Sequence, residues 1–556
     1  MKKPLSFWFC VVLLSFVVVP REPVYSQRRE PTPAYVEDQV LVKLKANSEP
    51  IVDGEQFADE VFQTRGARAE PLAPRARGGG FHLVHLNGQL SVEEAVQRAK
   101  ADPRVEYAEP DYILQASETI PNDVFFSQMW GLSNTGCFFC DQPTANIDAP
   151  RAWDITTGSD DVVAVVLDTG VDIGHEDLAP NIWVNPHEIP GNGIDDDGNG
   201  LVDDINGWNF VDSTNNVFTS FSEDLHGTHV AGSIGAVGDN KKGVTGVAWH
   251  VKLISLKFLG GPKGKGSTGN AIRGINYAID QRNRGVNIRS INASWGGPNE
   301  SQSLRDAISA AGSAGILFVC AAGNSHHDVD QTPEFPSGFG GLPTCLSVAA
   351  MNPADGLASF SNFGHSTVGV GAPGESILST IPHSQFSPMG EYGELSGTSM
   401  STPYVTGLAV LLWSHEPSLT PDQVKQRIVS TSEPIPALAS KVANSGRANA
   451  YDALINRIAP PQSPRVLRAA FTKKIVTLDG LGFLSGTTVI EVNGAALSTV
   501  DYDNSFALSN GTLTRLSCNL GKKPMKATFP KGVPVSVTVF NPTTGERSAQ
   551  FVTTRF

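Results

Sequence analysis

The chain has no excess of basic residues. Its 42 Lys and Arg face 56 Asp and Glu, a formal net charge of −14, so it has no general electrostatic attraction for nucleic acid or for an anionic membrane surface. Cysteine is scarce, six in 556 residues. Cys137-Phe-Phe-Cys140 has the spacing of redox and zinc sites, but no second pair completes a zinc set. A local disulfide or a pair of buried thiols is the expectation there. Long apolar runs are missing except near the N-terminus, where Leu5–Val19 follows Lys2 and Lys3. That run is shorter than the ~20 residues a comfortable membrane span needs. Charge, apolar run and a polar exit near Ser26 read as a secretory signal peptide, residues 1–26, with a retained anchor as the alternative. The expected product is secreted, without a membrane span in its mature form. Cys10 leaves with the signal, so the mature cysteine count is odd.

The sequence has enough apolar material to fold. It is 40% hydrophobic and 18% charged, ordinary for a packed soluble protein, and too long for one core, so about three domains are expected. Residues 35–116 read as a small α+β unit: Gln39-Val-Leu-Val-Lys-Leu-Lys45 alternates as a strand does, and Ser91–Lys100 opens as a helix with Glu93 and Glu94 in its first turn. Residues 122–457 alternate short runs apolar on both faces with helical stretches. Strands are expected at Val162–Leu167, Lys252–Lys257, Arg289–Ala293, Ile316–Ala321 and Cys345–Ala350, helices at Gly227–Gly235, Gly269–Arg282, Ser301–Ser313, Ser399–Ser414 and Pro421–Thr431. That is the pattern of a three-layer α/β domain around a buried parallel sheet. The Pro-rich segment 458–464 is a linker. Residues 465–556 carry short strands with Asn-Gly and Thr-Gly turns and read as a β-sandwich.

Three local motifs carry the chemistry. Val163-Ala-Val-Val-Leu-Asp168-Thr-Gly170 is an apolar strand ending in an acid. Asp224-Leu-His226-Gly-Thr-His229-Val-Ala-Gly232 holds two histidines on one helix. Ser396-Gly-Thr-Ser399-Met-Ser-Thr-Pro403 places a serine at a helix start. Singly, each has a bland reading as a turn acid, a packed helix or a helix cap. Together, in the order Asp, His, Ser, they resemble the motifs of the subtilisin-like serine proteases, the subtilases, over roughly residues 130–457. The serine motif departs slightly, with Ser401-Thr402-Pro403-Tyr404 where relatives usually carry Ala-Ser-Pro-His.

The resemblance implies a subtilisin-like fold and a serine endopeptidase acting on protein and peptide substrates. Ser399 would be the nucleophile, His226 the base and Asp168 its orienting acid, with His229 structural. Phe318-Val-Cys-Ala-Ala-Gly323-Asn324 ends a strand in Gly-Asn, and by resemblance Asn324 donates to the oxyanion beside the Ser399 amide. Substrate would lie extended between Ser294-Trp295-Gly296 and Gly264-Lys-Gly266, with Trp295 either walling a pocket or sitting in the core. Aligning Phe335-Pro336 with relatives puts Glu334 at the base of the pocket for the side chain preceding the scissile bond. The alternative is that the insertion 338–342 turns it to solvent. The α+β unit resembles the inhibitory propeptide of the family and would act as an intramolecular inhibitor, cut off near residues 115–121.

Asn192-Gly-Ile-Asp195-Asp-Asp197-Gly-Asn199-Gly-Leu201-Val-Asp203-Asp204 offers oxygen ligands at alternate positions with glycine for a sharp turn. That is the logic of a calcium loop. Asn206 stands where an EF-hand ends in Glu and no helix clearly flanks the loop, so a structural Ca²⁺ on a surface loop is the expectation. A second calcium site is implied by the resemblance at Asp177 and Asn240, with main-chain oxygens near Val237, Lys242 and Val244. The C-terminal segment faintly resembles IPT/TIG-type immunoglobulin-like domains in Leu481–Gly486 and Val539–Gly545. A monomer is expected. The rival reading is a binding or adhesion protein built on a protease-like scaffold.

Overall fold

The computed structural model describes the chain from residue 35 to 555, apart from residues 47, 49, 50, 52, 64, 73–79, 113–117, 135–144, 262, 384–386, 388, 459–463, 485, 486, 494, 498, 499, 502–511, 542–545, 549 and 550. The signal peptide, the Cys137–Cys140 pair and most of the linker therefore lie outside the described residues. Two units separate, Met1–Ser117 and Glu118–Phe556.

The first unit runs β1 (Tyr35–Leu44), α1 (Gly54–Phe62), β2 (Arg68–Pro71), β3 (Phe81–His85), α2 (Val92–Ala101) and β4 (Val105–Tyr112), with an antiparallel sheet in the order β2-β3-β1-β4. The alternation in β1 turns Val40, Val42 and Leu44 onto the two helices. The Ser91 hydroxyl accepts from Glu94 N and starts α2. Helix α1 was not foreseen. Its apolar positions, Phe57, Ala58, Val61 and Phe62, have helical spacing but make only one turn's worth of stripe.

The second unit begins with α3 (Ala149–Trp153), β5 (Gly158–Asp168), β6 (Gly207–Asn209), α4 (Phe221–Gly235), β7 (His250–Lys257), α5 (Thr268–Asn283) and β8 (Ile288–Ala293). It continues with α6 (Gln302–Ser313), β9 (Leu317–Ala321), β10 (Cys345–Met351), β11 (Val368–Pro373), the hairpin β12 (Ile377–Thr380) and β13 (Tyr392–Leu395), then α7 (Thr398–His415), α8 (Pro421–Ser430), β14 (Glu433–Pro434), β15 (Gly446–Arg447) and α9 (Ala450–Leu454). Nine strands form one sheet, β14-β15-β11-β10-β9-β8-β5-β7-β6, parallel except for edge strand β14. Strand β5 shows why both of its faces are apolar: Val162, Ala164 and Val166 pack with α4 and α7 on one side, while Val163, Val165 and Leu167 pack with α5 and α6 on the other. The chain leaves β5 for β6 and β7 on one flank and returns to β8 on the other, so the strand order reverses at β5. In open α/β sheets the crevice beyond the strand ends at such a reversal is where ligands bind. Asp168 ends β5, Ser294 follows β8, and Gly323 and Asn324 follow β9.

Beyond the linker, β16 (Arg465–Phe471), β17 (Ile475–Leu484) and β20 (Thr512–Asn519) make one sheet. The other contains β18 (Val489–Val492), β19 (Ala495–Ala496), β21 (Pro534–Asn541), β22 (Glu546–Arg547) and β23 (Phe551–Thr554). Val476, Leu478 and Leu516 from the first share one core with Ile490, Val537 and Val539 from the second, a β-sandwich, with α10 (Lys522–Thr528) adding Met525.

Candidate active site

The acid at the end of β5 and the first histidine of α4 meet. His226 Nδ1 lies 2.8 Å from Asp168 Oδ1, and Asp168 is fully buried. Thr169 N donates to the same oxygen, while Oδ2 is buried without a partner. With Nδ1–H committed to the carboxylate, Nε2 carries the free lone pair, the tautomer a general base needs. Burial works against protonation of His226, but the Asp168 charge and hydrogen bond outweigh it and hold its pKa above the ordinary 6.5. His229, one turn on, is different. Its Nε2 lies 2.8 Å from Ile377 O and 3.2 Å from Gly393 O, tying α4 to the β12–β13 hairpin, and its Nδ1 is buried with no partner. Burial, then repulsion from His226, pushes its pKa down to about 4.

Ser399 is the second residue of α7, so its amide is one of the first-turn N–H groups with no intrahelical acceptor. Its hydroxyl donates to Ser294 O at 3.0 Å, a resting position from which catalytic contacts tighten when substrate binds. Pro403 lies inside the helix, four residues on, and has no N–H to give the Ser399 carbonyl. The Ser294 hydroxyl takes that place at 2.7 Å. Ser294 is therefore buried behind the nucleophile, and its side chain is not part of the cavity lining. Asn324 is oriented by Thr398, whose N–H and hydroxyl both donate to Asn324 Oδ1, at 2.9 and 3.0 Å. That leaves the Asn324 NH₂ as the donating end beside Ser399.

A buried ion pair backs the catalytic strand. Lys257, paired in register with Asp168 across β5 and β7, is fully buried and reaches Asp224 Oδ1 at 2.6 Å and the Thr169 carbonyl. Thr169 Oγ1 accepts from Gly227 N at 2.9 Å. The lysine thus ties the turn after Asp168 to the helix carrying His226.

Two cavities adjoin Trp295 and Gly296. One, of about 180 Å³, is bordered by Ser399, Asn324, Glu334, Trp295 and Gly296, among others. The other, of about 370 Å³, is bordered by Gly264, Gly266, Trp295 and Gly296. The two glycine segments expected to flank a substrate therefore line one groove. Trp295 does both things the sequence left open: it borders both cavities and packs edge-on to Phe258, with its indole N–H on Leu167 O. Gly323 has φ +105, and a Cβ there would meet Glu334 Oε2 at 2.3 Å.

The acidic loop folds differently from its simplest reading. Asp195 accepts from the main-chain N–H groups of Asn199 and Gly200, and Asp203 from those of Asn192 and Gly193. Asp197 and Asp204 instead point at Glu188, and one oxygen from each of the three lies within 4.8 Å of the others. Asn199 Nδ2 bridges Asp197 and Asp204, and the Leu201 N–H is held by Asn199 Oδ1. Burial, offset in part by Tyr277 and Asn199 and augmented by Asp197, pushes the Asp204 carboxyl up to about 6. Three oxygen donors this close suit a hard cation. Glu188 was missed because it stands seven residues before the loop's first aspartate, Asp195. At the second proposed site Asp177 is fully buried, accepting from Asn240 Nδ2 and Val244 N. Lys242 O takes the Val124 N–H, and Asp177 O takes the Val237 N–H. Asp123, also missed, is buried nearby with Oδ1 unpartnered; desolvation raises it to about 6, and Asp177 adds to the shift.

An acid–histidine pair at one strand end, a serine at a helix N-terminus and an amide donor beside it are the components of a serine hydrolase. Comparison with known proteins narrows the class. The model of the subtilase family matches residues 158–459, and that of the fervidolysin N-terminal prodomain matches residues 21–111. The chain is 34% identical over 393 residues to an extracellular protease of Xanthomonas campestris pv. campestris, covering 67% of this chain and 63% of that one. It is 31% identical over 422 residues to the thermophilic serine proteinase of Bacillus sp. strain AK1, covering 76% and 88%. With thermitase of Thermoactinomyces vulgaris the identity is 33% over 335 residues, covering 60% and 99%. The chain belongs to the subtilase family of serine endopeptidases and carries a fervidolysin-like prodomain ahead of its catalytic domain.

Proposed function

We propose that this protein hydrolyses internal peptide bonds through Asp168, His226 and Ser399. His226 Nε2 takes the Ser399 proton as Oγ attacks the substrate carbonyl, and later returns it to the leaving amine. Asp168 holds the tautomer and stabilises the imidazolium. The Asn324 NH₂ and the Ser399 amide receive the oxyanion, helped by the positive end of α7. The acyl-enzyme is then cleared by water that His226 deprotonates. The observation that carries the reading is the orientation of Asn324: Thr398 fixes its oxygen, which leaves only donors toward the nucleophile.

Residues 35–116 act as an intramolecular inhibitor until cut off, and the product is secreted. A structural Ca²⁺ fits the oxygen donors of Glu188, Asp197 and Asp204, where it would neutralise carboxylates that otherwise repel. It takes no part in the chemistry. The test is hydrolysis of an unfolded protein with and without a serine-directed inhibitor. A binding protein on a protease-like scaffold shows no hydrolysis in either arm.

A further inference from the structure

The cavity beside Ser399 contains a carboxylate that no Lys or Arg among the described residues pairs with. Ser399 attacks the carbonyl of the residue preceding the scissile bond, and Asn324 holds its oxygen. The side chain of that residue therefore starts within a few ångströms of both, and the cavity of about 180 Å³ is the one that opens on both. Among the described residues, Glu334 is the only carboxylate or basic side chain bordering it. Its carboxylate accepts from the Ser325 hydroxyl at 3.2 Å and lies 3.4 Å from His327 Nε2. Among the described residues no Lys or Arg pairs with it. The side chain is only 21% exposed, and glutamate is seldom so far buried without a Lys or Arg beside it. The other walls are the Trp295 indole, the main chain at Gly296 and Gly323, and the Phe335 ring, which suit a long aliphatic stem.

We propose that Glu334 determines specificity, and that this cavity receives a lysine or arginine side chain immediately before the bond to be cut. The inference rests on the peptidase reading of the same site. A bound cation would give the carboxylate a partner, while a bound acidic side chain would leave two like charges with little water between them, which is costly. His327 does not substitute for the substrate's cation, since its Nε2 reaches only one oxygen of the carboxylate, Oε1, at 3.4 Å. The insertion 338–342 leaves Glu334 in the cavity: Phe335 pairs with Gly297 through N–H···O bonds of 2.8 and 2.9 Å, which fixes the segment before it.

The experiment compares kcat/KM for two peptides identical except for lysine or norleucine before the scissile bond, which share an aliphatic stem and differ in charge. Wild type should favour lysine, and Glu334→Gln should lower the lysine-to-norleucine ratio by at least about tenfold, the scale of one charged contact in a specificity pocket. The ratio is independent of the fraction of folded enzyme. Glu334→Lys gives a second reading, in which the preference should pass to a glutamate peptide. If both substrates lose rate in equal proportion in Glu334→Gln, the proposal is overturned while the peptidase reading stands. If wild type cleaves neither peptide nor any unfolded protein, both fall.

Discussion

Acidification should act on the two histidines of α4 in opposite senses. His226 has a folded pKa above its unfolded one, so its contribution to stability is complete below the unfolded value and is lost as pH rises through the folded value. His229 has a folded pKa of about 4 against an ordinary 6.5. The unfolded chain then binds the proton first, and stability falls as pH drops from about 6.5 to about 4. The structure supplies the cause: with Nε2–H on Ile377 O, a second proton must go to Nδ1, which is buried with no acceptor. At ~1.4 kcal/mol per pH unit, the gap is worth about 3 kcal/mol over the whole window, about three-quarters of it developed by about pH 4.5. In His229→Gln the amide can still donate to Ile377 O but cannot titrate. The assay is urea unfolding of both proteins in a Ser399→Ala background at pH 7 and 4.5 with calcium present. It is followed by tryptophan fluorescence, since every tryptophan beyond the signal peptide lies between residues 130 and 413. The parent should lose about 2–3 kcal/mol more than the variant. Equal losses would show that His229 accepts a proton without cost and that the burial argument is wrong.

Asn324→Ala should lower kcat by roughly 10²–10³ with little change in KM, the size such a donor has in a subtilisin; a change confined to KM would mean that it binds ground-state substrate only. Lys257→Met leaves Asp224 charged and buried without its cation, and should cost about 3–5 kcal/mol in denaturant unfolding. A loss under 1 kcal/mol would place water or another cation in that pocket. Calcium should raise the melting temperature, since a ligand at a hundredfold excess over Kd adds about 2.7 kcal/mol. Glu188→Gln should weaken that response, measured as the midpoint of the calcium titration, and an unchanged midpoint would remove Glu188 from the site.

Much of this was legible in the chain because the informative features are local. Val162–Leu167 reads as a two-sided strand, and the residues ending it and following β9 fall at the sheet's carboxyl edge. The five longer helices of the catalytic domain match the expected ones to within a residue at most ends, while the short α3 and α9 carry too few residues to show a pattern. The start of α4 was the exception: it begins at Phe221, six residues before the expected Gly227, since the polar turn Ser222-Glu-Asp224 masks it. Asp224 is buried there only because Lys257, far along the sequence, meets it. The same limit hid Glu188 and Asp123, whose neighbours are set by folding and not by spacing. Ser294 was expected along the substrate path. Its hydroxyl also occupies the carbonyl that Pro403 leaves open, a role visible only once α7 and β8 are side by side.

If Ser399 is the nucleophile of a peptidase, a reagent that phosphonylates reactive serines must label it and stop hydrolysis together. Purified mature protein is treated with a fluorophosphonate, digested, and analysed by mass spectrometry while residual hydrolysis of unfolded casein is followed in parallel. One adduct per chain is expected, on Ser399, with activity falling in proportion to labelling, and no adduct or hydrolysis in Ser399→Ala. Hydrolysis that persists in fully labelled protein, or in Ser399→Ala free of other proteases, would contradict this role for Ser399.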